Sequence, residues 1–152
     1  MIRRVTFEQT TYNDLPYRLE AGTPHIAGTI GLGAAVDFMV AVGPEAIAAH
    51  EAKLLEHANN LARHTDGLTI IGQASDKAAV FSFIVDGIHP HDVGTILDTE
   101  GLAVRAGHHC TMPVMQQFGL PATTRASFAL YNTIAEVDFL FASLQKVRDI
   151  FG

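Results

Sequence analysis

Apolar and polar positions along the chain follow two periods, and the changes between them mark out the elements. Residues 2–8 alternate and predict a strand. Residues 10–25, with Asn13, Pro16, Gly22 and Pro24, read as an ordered loop. Residues 26–42 predict an apolar helix carrying Gly28, Gly31 and Gly33. Small residues three and four apart let another backbone pack close. The order Gly28-x-x-Gly31-x-Gly33 is not the dinucleotide pattern and follows no clear strand, so packing is the better reading than a phosphate cradle.

Residues 44–65 predict a second helix, with Pro44 near its first turn and Ile47, Leu54, Ala58 and Leu61 on one face. His50, His57 and His64 recur every seven residues at the edge of the polar face. Metal ligands on one helix sit three or four apart, so this ladder reads as a solvated boundary. Glu51 falls inside the apolar arc and is expected to hydrogen-bond a neighbouring loop.

Strands follow at Leu68–Ile71 and Ala79–Val85. Pro90 opens a short helix that Gly101 ends. Residues 102–106 predict a strand with Leu102, Val104 and Ala106 on one face and Arg105 on the other. Pro113–Phe118 is a helical turn closed by Gly119. Residues 124–131 predict a strand with Ala126, Phe128 and Leu130 on one side and Arg125, Ser127 and Tyr131 on the other. Thr133-x-x-Glu136 is a capping box that starts the last helix. Because some strands adjoin directly, the order favours α+β: a largely antiparallel sheet with helices mainly on one face. Arg105 and Arg125 then share the less hydrophobic face.

Composition narrows the classes. The chain has 152 residues, of which 48% are hydrophobic and 17% charged. That length suits one domain, and that balance excludes intrinsic disorder. A formal net charge of −6 disfavours nucleic acid and anionic membrane surfaces. No apolar signal core follows Arg3-Arg4, the stretch from Ile26 to Val42 is too interrupted for a transmembrane helix, and one cysteine forms no internal disulfide. A cytoplasmic protein is expected.

The densest chemistry lies in Arg105-Ala106-Gly107-His108-His109-Cys110. Cationic neighbours raise a thiol's thiolate fraction, so Cys110 reads as a reactive thiol, with a buried structural cysteine as the alternative. His89, His91 and Asp92 with His108, His109 and Cys110 would suffice for zinc, but adjacent histidines on extended chain face opposite ways, and His89 beside Pro90 better caps a helix. Arg125, in a strand of alanine, phenylalanine and leucine, needs an acidic partner or a ligand carboxylate.

Four segments together resemble a known family: Glu20-Ala21-Gly22-Thr23-Pro24, His89-Pro90-His91-Asp92-Val93-Gly94, Arg105-Ala106-Gly107-His108-His109-Cys110, and Arg125-Ala126-Ser127-Phe128-Ala129-Leu130-Tyr131-Asn132-Thr133. They resemble the group II (SufS/CsdA-type) cysteine desulfurases of the class V aminotransferase superfamily, over essentially the whole chain. The resemblance implies the small C-terminal domain of a pyridoxal-phosphate-dependent fold type I transferase. Residues 1–25 would be a strand and a cofactor-approaching loop, and residues 26–152 the small α+β domain.

It further implies that L-cysteine becomes L-alanine while the cysteine matching Cys110 takes the sulfur as a persulfide. Arg125 would hold the substrate carboxylate. Arg105 and His108 would line the same pocket. Gly22 and Thr23 would reach the cofactor phosphate of the other subunit in a homodimer. The sulfur would pass to an acceptor protein for iron–sulfur cluster assembly, with selenocysteine a second substrate. The family's cofactor lysine lies in a large N-terminal domain, and Lys53, Lys77 and Lys146 do not match its context. The chain alone is therefore expected to lack that domain, to form no Schiff base with the cofactor and to be inactive. A standalone interaction module that kept the fold without the catalysis is the alternative.

Overall fold

The computed structural model describes residues 1–151. They fall into two compact units, Met1–Gly43 and the part from Pro44 onward. Residues 26–42 fall in the first of these units.

In the N-terminal unit, β1 (Ile2–Val5) and β2 (Thr10–Tyr12) form an antiparallel hairpin. The predicted strand is shorter than expected, and the predicted loop contributes its second partner. Arg3 Nη2 meets Asp14 Oδ2 at 2.7 Å. Helix α1 spans Ile26–Val42. None of its side chains is buried, although Ile30, Leu32, Val36, Phe38 and Val40 are large and apolar. No single helix of the described residues is long and apolar enough to cross a membrane. The expected close backbone packing on its glycines is not seen. Gly31 and Gly33 face open space, and only Gly28 is crowded, by the His25 ring.

The second unit carries α2 (Pro44–Arg63), β3 (Leu68–Ile71), β4 (Val80–Val85), α3 (Pro90–Thr99), β5 (Arg105–Gly107), α4 (Met112–Phe118), β6 (Thr123–Ser127) and α5 (Ile134–Phe151). The four strands are all antiparallel in the order β3-β4-β6-β5. Alternation along β4 buries Phe81, Phe83 and Val85 and leaves Val80, Ser82 and Ile84 half-buried. The buried set packs against Leu54 and Ala58 of α2, Val93 and Leu97 of α3, and Leu140, Leu144 and Val147 of α5. The helices thus cover one sheet face, as an α+β chain requires.

Local signals explain most boundaries. His89 caps α3, its Nδ1 accepting from His91 N at 3.2 Å. Gly119 ends α4 in the left-handed region, at φ 66. The capping box forms reciprocally: Thr133 N donates to Glu136 Oε2 at 2.7 Å and Glu136 N to Thr133 Oγ1 at 3.3 Å. β6 is shorter than predicted because Asn132 turns the chain, its Oδ1 accepting from Ala129 N at 2.9 Å. The histidine ladder is more than a solvated edge. His50 Nε2 meets Asn132 O at 2.9 Å, and His57 Nε2 meets Asp138 Oδ1 at 2.6 Å, tying α2 to the start of α5. The expected Glu51 hydrogen bond to a loop is not among those of the described residues.

Candidate active site

The open sheet face carries the chemistry. In register, Ser82 of β4 faces Arg125 of β6, and Arg125 faces Arg105 of β5. Alternation puts Phe81, Ala126 and Ala106 toward the helices and these three away from them. Two like charges directly opposite in an antiparallel pair oppose folding. Among the described residues neither arginine has a carboxylate partner. Arg125 is half-buried, and its Nε is buried with no hydrogen bond. The fold therefore holds a pair of guanidinium groups that a carboxylate ligand would satisfy.

Cys110 reaches the same place by a turn. His108 O accepts from Thr111 N at 2.8 Å, closing residues 108–111. Its central residues, His109 and Cys110, have φ of 54 and 60. Turns with both central residues at positive φ ordinarily carry Gly, Asn or Asp, because a Cβ costs roughly 1–2 kcal/mol there. Such strain persists only where surrounding structure imposes it. Here Thr111 Oγ1 also donates to His108 O at 2.8 Å. Arg105 Nη2 donates to Cys110 Sγ at 3.5 Å, and the thiol is exposed.

His109 ties the turn to the sheet. Its Nε2 lies 3.1 Å from Thr123 O and 2.9 Å from Thr123 Oγ1. A carbonyl only accepts, so Nε2 carries the proton. Its Nδ1 is buried without a partner. Burial lowers the His109 pKa below the ordinary histidine value; the Thr123 hydrogen bond opposes this, and Arg125, Arg105 and His108 add to the lowering.

The structure thus brings together Arg105, Arg125 and Cys110, with exposed His108 at the edge of the cluster. Gly22 and Thr23 lie in the other unit, in the exposed loop before α1. Gly22 has φ 95 and open space where a Cβ would stand. Among the described residues no three His, Cys, Asp or Glu side chains converge as a metal ion requires. A cavity of about 560 Å³ lies elsewhere, between α2 and the loop after β3, beside Arg63, Asp76 and Lys77. Sequence reasoning gives the pocket role to His108 and counts His109 only among possible zinc ligands and the neighbours of the thiol; the positive φ and the Thr123 contacts are what single out the second histidine.

The profile of the aminotransferase class-V family matches residues 1–140. The chain belongs to that family. Within it, the chain is similar to a probable cysteine desulfurase of Xylella fastidiosa (strain 9a5c), 47% identical over the whole chain and 36% of the relative. It is also 48% identical to a probable cysteine desulfurase of Streptomyces coelicolor, over the whole chain and 37% of that protein. Among solved structures, the cysteine desulfurase CsdA of Escherichia coli superposes with a TM-score of 0.88 at 32% identity, covering 99% of this chain and 37% of that one. The apo cysteine desulfurase of Thermococcus onnurineus NA1 gives 0.86 at 36% identity, covering 96% of this chain and 37% of its own. The chain spans a little over a third of these relatives' length. At this site the chain places an arginine pair and a thiol, while its three lysines are engaged or exposed elsewhere. Lys77 Nζ donates to Gly72 O, Lys146 pairs with Glu100, and Lys53 is exposed on α2.

Proposed function

We propose that this chain is the sulfur-accepting part of a pyridoxal-phosphate-dependent cysteine desulfurase, converting L-cysteine to L-alanine with the sulfur taken up by Cys110. The observation that carries this reading is the pairing of Arg105 with Arg125 beside the Cys110 thiol, with no carboxylate of the described residues to neutralise them. Arg125 binds the substrate carboxylate through two parallel N–H···O bonds. Arg105 offers its Nη2 proton to Cys110 Sγ and holds the sulfur beside the Arg125 guanidinium, where the substrate sulfur would be presented. His108 borders the same pocket.

When bound, pyridoxal phosphate supplies the electron sink that lets the carbon–sulfur bond of cysteine break. From this chain the Gly22–Thr23 loop would meet its phosphate, with Gly22 at a φ of 95 that glycine adopts without strain. The covalent lysine belongs to the additional length the relatives possess, and the chain alone has no turnover. The same length covers α1, because a helix apolar on all sides is stable only when buried. A homodimer, in which the loop reaches the other subunit's cofactor, and a sulfur-acceptor protein for iron–sulfur cluster assembly complete this reading.

The test joins this chain to the remaining length of the Streptomyces coelicolor relative and assays alanine formed from cysteine. Arg125→Ala lowers the rate by roughly tenfold to a hundredfold, the worth of charge-assisted hydrogen bonds to a carboxylate. An unchanged rate contradicts the assignment.

A further inference from the structure

The 108–111 turn is slung between two strands by its two central residues. Cys110 touches β5 through the 3.5 Å contact with Arg105, and His109 touches β6 through Thr123 O and Oγ1. A guanidinium N–H to a thiol sulfur is a weak tie, since sulfur is a weak acceptor. The His109 contacts, at 3.1 and 2.9 Å to oxygen, are the stronger ones. They are made to a buried partner, since Thr123 is 1% exposed. A positive-φ turn of two residues that carry a Cβ does not hold itself.

We propose that His109 is a positioning residue: its neutral imidazole, donating from Nε2 to Thr123, locks the strained turn against β6 and so sets the Cys110 sulfur beside the Arg105–Arg125 pair. This deepens the reading of Cys110 as the sulfur acceptor and rests on it. The lowered His109 pKa agrees, since a neutral ring keeps a third positive charge away from the two arginines. With Nδ1 buried and unpartnered, Nε2 is the ring's one hydrogen-bonding tie.

The test uses the 152-residue chain, in which Cys110 is the one cysteine, so alkylation reports a single sulfur. The rate with anionic iodoacetate is divided by the rate with neutral iodoacetamide; arginines beside the sulfur favour the anion, so the ratio reads where the sulfur sits. Two variants separate anchoring from mere tolerance of the backbone. His109→Gly relieves the positive φ but removes the anchor. His109→Gln keeps the strain but restores an N–H that reaches Thr123. The ratio is expected to stay at the wild-type value in His109→Gln and to fall about fivefold in His109→Gly, what one charge interaction at contact distance in water supplies. If His109→Gly unfolds, His109→Asn replaces it, since Asn accepts positive φ and is too short to reach. Retention of the ratio without the anchor, or equal loss in His109→Gln, overturns the proposal. The assay needs no cofactor or turnover, so its failure is distinct from failure of the desulfurase reading.

Discussion

Arg105 and Arg125 are register partners across β5 and β6, so two guanidinium groups rise side by side from the open sheet face. Their mutual repulsion opposes folding, and an anion between them relieves it. We therefore expect sulfate to raise the melting temperature of the wild-type chain more than that of Arg125→Ala. Sulfate also strengthens apolar burial in general, but that effect is common to both proteins. Arg125→Ala itself should change stability by less than about 1 kcal/mol, the scale of a cross-strand pair. Thermal melts across a sulfate series check this, and equal sulfate slopes would count against the anion site.

His109 makes stability depend on pH. Its pKa is lower in the folded chain than in the unfolded one, chiefly through burial. The unfolded state therefore binds the extra proton first as pH falls. Stability should be complete above the ordinary histidine value of about 6.5 and should decline as pH drops through the lower folded value. His109→Gln should remove that component of the melting curve between neutral and mildly acid pH. A variant whose profile overlays the wild type would refute it.

The capping box at α5 gives a purely structural prediction. Thr133→Ala removes the oxygen that accepts from Glu136 N and should cost about 1 kcal/mol in denaturant unfolding. The Glu136 carboxyl is held below its ordinary value, first by the Thr133 backbone N–H and then by Asn132. Its contribution is thus present above the ordinary carboxylate range and is lost as pH falls through the folded value. No change in the unfolding midpoint of Thr133→Ala would contradict the cap.

The helices and the core were legible because their signals are local. Pro44, Pro90, Gly119 and Thr133 mark ends, and the alternation of Phe81, Phe83 and Val85 marks the buried face. Arg105 and Arg125 were placeable on one face by the same period of two, and the family motifs around them pointed to the same site. What was not legible depends on contacts distant in sequence. The hairpin partner at Thr10–Tyr12 is too short to show a period. The end of β6 is set by the Asn132 turn, and the first strand residues predicted before Arg105 have no ladder partner. His109 could not be told from His108 by type or spacing. Its role follows from a backbone conformation that residues with a Cβ seldom adopt and from an oxygen 14 positions away.

The central claim is that sulfur from cysteine lands on Cys110. The direct measurement is peptide mass spectrometry of the cofactor-loaded chimeric enzyme after cysteine is added without an acceptor. The account predicts one added sulfur atom on the peptide containing Cys110, released by thiol reductant and absent in Cys110→Ala, which also stops desulfurating cysteine. Added sulfur on a different cysteine, or wild-type alanine production by Cys110→Ala, would contradict it.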